Sequence, residues 1–267
     1  MPQRDGAFSE MEPSMMGNGV QAQGIAGKAP AGVFKLVWGL AATGLSVLGT
    51  AVLGPLAALA AMAGRIDILS TISRVWARLI IGVCGVRVEI EGLENLAGLD
   101  SCVLVSNHQS FFDIFAAIAF IPREVRFVAK RELLRIPAIG YALGNSEHIV
   151  IDRQAGGPTI RKALNVIALR RLIFVFAEGH RFSDNCVHEF NDGAAWLAIK
   201  TGVPCVPVAF SGTAAFFPRG AKVVVPGGRM RMALGKPIAV AELKVSDRST
   251  LTRQLEEAVR MLFVAQV

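Results

Sequence analysis

Charge is the scarcest commodity in this chain of 267 residues: Asp, Glu, Lys and Arg together make up 18%, against a hydrophobic share of 52% and a mean hydropathy of +0.47. Ordinary soluble domains carry roughly 25% charged residues, so a disordered or fibrous chain is excluded and membrane association is favoured. Acidic residues are outnumbered 21 to 28 by Lys and Arg, a net charge of +7 with a pI near 9.6. That balance suits an anionic partner such as a lipid headgroup or a phosphorylated ligand. With a single Tyr and no basic stripe interleaved with aromatics, no nucleic-acid partner is expected. Cysteine is also sparse. Cys84, Cys102, Cys186 and Cys205 form no C-x-x-C pair, which argues against a disulfide framework or structural zinc and for a reduced, cytosol-facing domain.

Residues 1–32, rich in Gly, Gln, Ala, Met and Pro, have neither helical nor strand period and read as a disordered leader. They lack the basic start and immediate apolar stretch of a secretory signal. Residues 33–64 follow as a membrane-associated helix or helical hairpin, because Leu36 to Gly64 holds no charged side chain in 29 positions. One helix of that length runs about 43 Å, more than a hydrocarbon core of about 30 Å. Gly54-Pro55 is expected to break it, since proline lacks the backbone donor. Buried hairpin, re-entrant hairpin and spanning helix all fit this pattern.

Residues 65–267 alternate short apolar runs with helical periods, which predicts an α/β domain: a mixed sheet flanked by helices. Strands are expected near Val86–Ile90, Cys102–Ser106, Arg126–Ala129, His148–Ile151, Leu172–Phe176 and Cys205–Phe210, then a late pair at Lys222–Val225 and Met230–Leu234. Helices are expected at Phe111–Phe120, Thr159–Leu169, Ala194–Thr201 and Leu251–Phe263.

Chemistry concentrates just past two of the strands. His108 leaves the strand ending at Ser106, and Asp113 follows five residues later across a helix start. A carboxylate so placed can fix the imidazole tautomer and stabilise the imidazolium, the base and orienter of a triad. There is no G-x-S-x-G elbow, and Ser110 lies too close to His108 in sequence for an easy attack line. The nucleophile is therefore expected on the substrate. After the Leu172–Phe176 strand comes Glu178-Gly179-His180-Arg181, where glycine admits a close backbone approach and arginine offers a phosphate-gripping fork. The basic residues from Arg123 to Arg135, from Arg153 to Arg171 and from Arg219 to Lys236 read mostly as solvated faces, several of them meeting anionic headgroups and one or two open to a ligand phosphate. His148, His180 and His188 fit no zinc spacing, so no metal is expected.

Asn-His-Gln-Ser-x-x-Asp at 107–113, Phe-Val-Ala-Lys-Arg-Glu-Leu at 127–133 with Ile136-Pro137 and Gly140, Ile-Asp-Arg at 151–153, Phe-x-Glu-Gly-x-Arg at 176–181 and Val-Pro-Cys-Val-Pro-Val at 203–208 run in order. Together they resemble the glycerolipid acyltransferase family, in its 1-acylglycerol-3-phosphate acyltransferase branch, over roughly residues 65–240. The resemblance implies that His108 is the general base oriented by Asp113. It implies further that Glu178 and Gly179 line the acceptor site, that Arg181 with Lys130 and Arg153 neutralises a phosphate, and that Pro207 shapes the pocket wall. A membrane-bound O-acyltransferase is expected, with a lysophospholipid acceptor and an acyl thioester donor, acyl-CoA or acyl carrier protein. No cofactor is expected, and the implied location is the inner (cytoplasmic) membrane, catalytic domain facing the cytoplasm. Ala177 and His180 stand where the family usually has Pro and Thr, and Asn191-Asp192 where it often has two lysines. These departures leave lysophosphatidylcholine and lyso-ornithine lipid as alternative acceptors, and a lipid-binding protein without turnover as an alternative of another class.

Overall fold

The three most apolar strands, β2 (Val103–Ser106), β5 (Leu172–Phe176) and β6 (Cys205–Ser211), lie side by side at the middle of a seven-stranded sheet and are buried nearly throughout. Continuous apolar runs are what parallel strands covered on both faces require. The computed structural model describes residues 29–132, 147–151, 156–218 and 220–265. The expected leader therefore lies, up to residue 28, outside the described residues.

The sheet order is β1-β7-β6-β2-β5-β3-β4, with β1 (Val86–Glu91), β3 (Val125–Lys130), β4 (Ile149–Ile151) and β7 (Gly228–Leu234) completing it. Every neighbouring pair is parallel except β6 and β7. Alternate residues feed two cores. Leu104, Phe174, Val206, Val208 and Phe210 face helices α2 (Ile66–Val83) and α3 (Phe111–Phe120). Val103, Val105, Ile173, Val175 and Ala209 face α4 (Gly156–Ala168), α5 (Gly193–Thr201) and α6 (Arg248–Leu262). The stripe Leu251, Leu255 and Val259 of α6 is buried there, as its spacing predicts.

Two expectations fail. Helix α1 (Ala29–Met62) passes straight through Pro55; the reversal comes at residues 63–65, where Gly64 is left-handed, and α2 then packs back along α1. The amphipathic α2, which the alternating pattern did not single out, buries Ala77, Ile80 and Ile81. Lys222–Val225 is not a strand: the Val224 amide donates to Thr43 Oγ1 (3.0 Å) and the Val225 amide to the Phe216 carbonyl (2.8 Å). With those donors taken, the segment covers α1 instead of joining the sheet.

Helix α1 packs along α2, with Trp76 donating to Thr50 Oγ1 (2.9 Å), and meets the sheet domain near its start. Trp38 donates its indole N–H to the Val83 carbonyl (3.0 Å), Ala42 is buried, and Thr43 receives Val224. Beyond Thr43, the side chains of Val47, Leu48, Val52, Leu56 and Leu59 are exposed. This is one helix long and apolar enough to cross a membrane by length and composition, and such uncovered apolar area marks a lipid or partner surface. Gly39 makes the docking possible, since a Cβ there would stand 2.5 Å from the Val224 carbonyl oxygen, while one at Gly44 would meet nothing within 4 Å. Gly39→Ala should therefore destabilise the protein by about 1–3 kcal/mol through overpacking, whereas Gly44→Ala should stabilise it by about 0.5–1 kcal/mol through helix propensity. Denaturation midpoints of the two variants in the same detergent check the contrast.

Candidate active site

The loops after β2 and β5 meet where the two strands' connections diverge, α3 covering one face of the sheet and α5 the other. Ligand sites in open α/β sheets form at such a crevice, outside the carboxyl ends of the strands. Asn107, the first residue past β2, is fully buried and pairs its side-chain amide with both backbone groups of Phe210, each at 2.9 Å. That two-point clamp ties the end of β2 to β6 and sets the exit direction of the chain.

His108 then turns back onto the start of α3. Its Nδ1 lies 2.8 Å from Asp113 Oδ2, and the same oxygen accepts from the amides of Gln109 (2.7 Å) and Ser110 (2.9 Å). Asp113 is fully buried and sits in the first turn of α3, where a carboxylate also favours the helix dipole. An oxygen already accepting two N–H groups is an acceptor for the imidazole too. Nδ1 therefore carries the proton and Nε2 keeps its lone pair. The ring is stacked on Phe176 of β5, centroids 3.8 Å apart and planes 17° off parallel. Ser110 is buried and donates its hydroxyl to the Phe217 carbonyl (3.3 Å), so it offers His108 no nucleophile.

The second loop supports the first. Glu178, 2% exposed, accepts the His108 amide on Oε2 (2.8 Å) and the His188 amide on Oε1 (3.0 Å). Gly179 adopts φ +76°, a left-handed conformation that glycine takes without strain. Arg181 lays its guanidinium 3.8 Å from the centre of the Phe111 ring, a cation–π contact that holds the fork at the site. These residues border a cleft of about 2690 Å³ that reaches from His108 between α1, α2 and α3 and is walled mainly by apolar side chains. The arrangement puts a carboxylate-held imidazole and a guanidinium on the border of one apolar channel.

His108, Asp113, Glu178, Gly179 and Arg181 are thus brought together. Pro207 is not. It is buried in β6 opposite Val105, its carbonyl accepting the Gly235 amide (2.8 Å), and it does not border the cleft. The reason is strand parity: Val206 and Val208 face the α2–α3 side, so Pro207 points the other way. Lys130 ends β3, but its side chain lies outside the described residues, as does the whole of Arg153 and the segment with Ile136, Pro137 and Gly140.

The basic runs are also less free than their composition predicts. Arg126 is 7% exposed and bonds Glu124 (2.7 Å) and Glu147 (3.0 Å), the same carboxylates that hold Arg171. Arg123 spends its guanidinium on the carbonyls of Leu99, Asp100 and Arg170. His148 accepts the Phe127 amide on Nδ1 (3.0 Å), and burial, with Arg126 nearby, pushes it down to about 4, so it stays neutral. Among the described residues no group of three or more His, Cys, Asp or Glu could hold a metal ion.

Fold and site together define an α/β domain with a histidine held by a buried carboxylate at a strand-end crevice. Residues 87–211 match the family model Acyltransferase. Among its relatives, a chloroplastic 1-acyl-sn-glycerol-3-phosphate acyltransferase of Brassica napus is 33% identical over 171 residues, covering 62% of this chain and 49% of the relative. A 1-acyl-sn-glycerol-3-phosphate acyltransferase of Pseudomonas aeruginosa is 29% identical over 197 residues, covering 68% of this chain and 76% of the relative. The chain spans about half the length of the plant relatives it matches. The crystal structure of the 1-acyl-sn-glycerophosphate acyltransferase PlsC from Thermotoga maritima shares the fold, with a TM-score of 0.70 at 24% identity over 85% of this chain and 95% of that one.

Burial pushes the Glu178 carboxyl from 4.5 up to about 7, with Asp113 adding to the rise and the His188 and His108 amides opposing it. Between those two values the folded chain keeps a proton the unfolded chain has released. The stability this group contributes is therefore full below about pH 4.5, falls as pH rises and is lost above about pH 7. Glu178→Gln should flatten that part of the stability curve. Denaturation midpoints of both proteins across the window check it, and parallel curves would contradict the assignment.

Proposed function

We propose that this protein is a membrane-bound O-acyltransferase that moves an acyl chain from acyl-CoA or acyl carrier protein to the sn-2 hydroxyl of 1-acylglycerol-3-phosphate, forming phosphatidic acid. The observation that carries the reading is the His108–Asp113 pair at 2.8 Å with Nε2 beside an apolar cleft large enough for a lipid chain. His108 takes the proton of the acceptor hydroxyl as its oxygen attacks the thioester carbonyl. The new C–O bond forms, the C–S bond breaks, and the thiolate leaves with the proton that His108 returns. Asp113 stabilises the imidazolium between those two transfers. Arg181, with Lys130 and Arg153, neutralises the acceptor phosphate, and Gly179 keeps the wall beside His108 clear of a side chain. The exposed apolar length of α1 supports attachment to the bilayer from which the acceptor arrives, with the catalytic domain on the cytoplasmic side.

A second acceptor reading has its own observation: Asp192 borders the cleft with Arg248 beside it at 3.4 Å. A carboxylate at the rim suits a lysolipid carrying a cationic group, such as lysophosphatidylcholine or a lyso-ornithine lipid.

A transfer assay in detergent with labelled oleoyl-CoA and these three acceptors offered separately tests both. Label should enter phosphatidic acid, and His108→Ala should cut the rate by about 10²–10⁴ with the fold retained. Arg181→Ala should lower kcat/KM for phosphate-bearing acceptors by about tenfold or more. Label only in a zwitterionic lipid would select the second reading. Release of free fatty acid would mark a hydrolase, and undiminished transfer by His108→Ala would remove His108 as the base.

A further inference from the structure

Glu178 borders the cleft, yet its carboxylate is not free to meet a ligand. It is 2% exposed, and each oxygen is already taken by a backbone amide: His108 on Oε2 at 2.8 Å and His188 on Oε1 at 3.0 Å. Those amides belong to loops that approach from different parts of the chain, 70 and 10 residues away. One side chain thus joins the loop that bears the base to the loop that closes the site. A further bond runs alongside, the Phe182 amide donating to the His108 carbonyl (2.9 Å), so both backbone polar groups of His108 are held by residues of 178–182. Phe182 is in turn stacked on His188, centroids 3.7 Å apart, and His188 Nε2 meets Asp184 Oδ2 at 2.7 Å. The two loops behind His108 are thus tied to each other by backbone and side-chain bonds.

We propose that Glu178 is a positioning residue for His108: its carboxylate stays on the His108 and His188 amides through the reaction and does not bind the acceptor. The assignment rests on the acyl-transfer reading for its kinetic consequence but not for its geometry. An imidazole must present Nε2 within a few tenths of an ångström to share a proton in the transition state, and misplacement by about 1 Å can cost about 10²-fold in rate. Asp113 fixes the side chain through Nδ1, whereas Glu178 fixes the backbone from which that side chain springs. A glutamine at 178 keeps one acceptor but turns an N–H toward the other amide, which leaves a buried donor unpaired.

The test is a KM-against-kcat comparison of wild type and Glu178→Gln, with hydrogen exchange at the two amides. Positioning predicts kcat lower by about tenfold or more and acceptor KM within about twofold. It also predicts faster exchange in the variant at the one amide, His108 or His188, that faces the glutamine N–H. A raised acceptor KM with kcat kept, or no change in either constant, would overturn it. Should Glu178→Gln fail to fold, exchange in the wild-type protein decides. Protection of both amides should persist when saturating 1-acylglycerol-3-phosphate is added, and protection lost on adding that lipid would show the carboxylate swinging to the acceptor. A wild-type protein that transfers to no lysolipid would remove the acyl-transfer reading alone, and the exchange difference between wild type and variant would still judge the geometry.

Discussion

One oxygen organises this site. Asp113 Oδ2 gathers the Gln109 amide, the Ser110 amide and the His108 imidazole at 2.7–2.9 Å, and in doing so closes the turn between β2 and α3. The first N–H groups of a helix have no partner within it, and here a carboxylate from the helix's own first turn satisfies the chain entering it. Because that carboxylate is fully buried, each bond is made in a low-dielectric setting where losing it is expensive. The start of the helix and the orientation of the His108 ring are therefore settled by one group. The remaining contacts of the site extend that constraint: Asn107 holds the strand end from behind, and Phe176 supports the ring from below.

The sheet explains why these groups meet. β2 and β5 are neighbours in space though about 70 residues apart in sequence, and both end at the same edge because they run parallel. Their following helices depart to opposite faces, which opens the crevice. Helix α1 adds a different kind of surface, apolar and mostly uncovered, held to the domain by Trp38, Gly39, Ala42 and Thr43. The cleft runs from His108 to this helix pair. Chemistry at the strand ends and the lipid-compatible surface thus share one continuous cavity.

Charge is handled economically, which corrects the picture that composition suggests. Arg126 and Arg171 share Glu124 and Glu147 as partners, and Arg123 caps three carbonyls. In a chain so poor in carboxylates these pairings could not be foreseen, because Glu124 and Glu147 stand on opposite sides of an intervening segment. Basic residues that look like headgroup binders along the sequence are partly internal struts. Arg181 differs: it is kept at the cleft by an aromatic ring.

Much of this was legible in the residues alone. Apolar runs located all seven strands of the sheet within a residue or two, and the five ordered blocks indicated the family and the His108–Asp113 pair, because those signals are local and periodic. The spacing of five lets a carboxylate in the first turn of α3 reach back to the histidine that precedes the helix. The exceptions were decided in the folded chain. Lys222–Val225 lost its strand to Thr43 and Phe216, Pro207 was turned from the cleft by the parity of β6, and α1 kept its helix through Pro55. Above all, Glu178 looks in sequence like a ligand-facing acid and is in space a buried clamp on two backbone amides. A backbone N–H leaves no trace in the amino-acid code, so which acid it selects emerges only when the chain has folded.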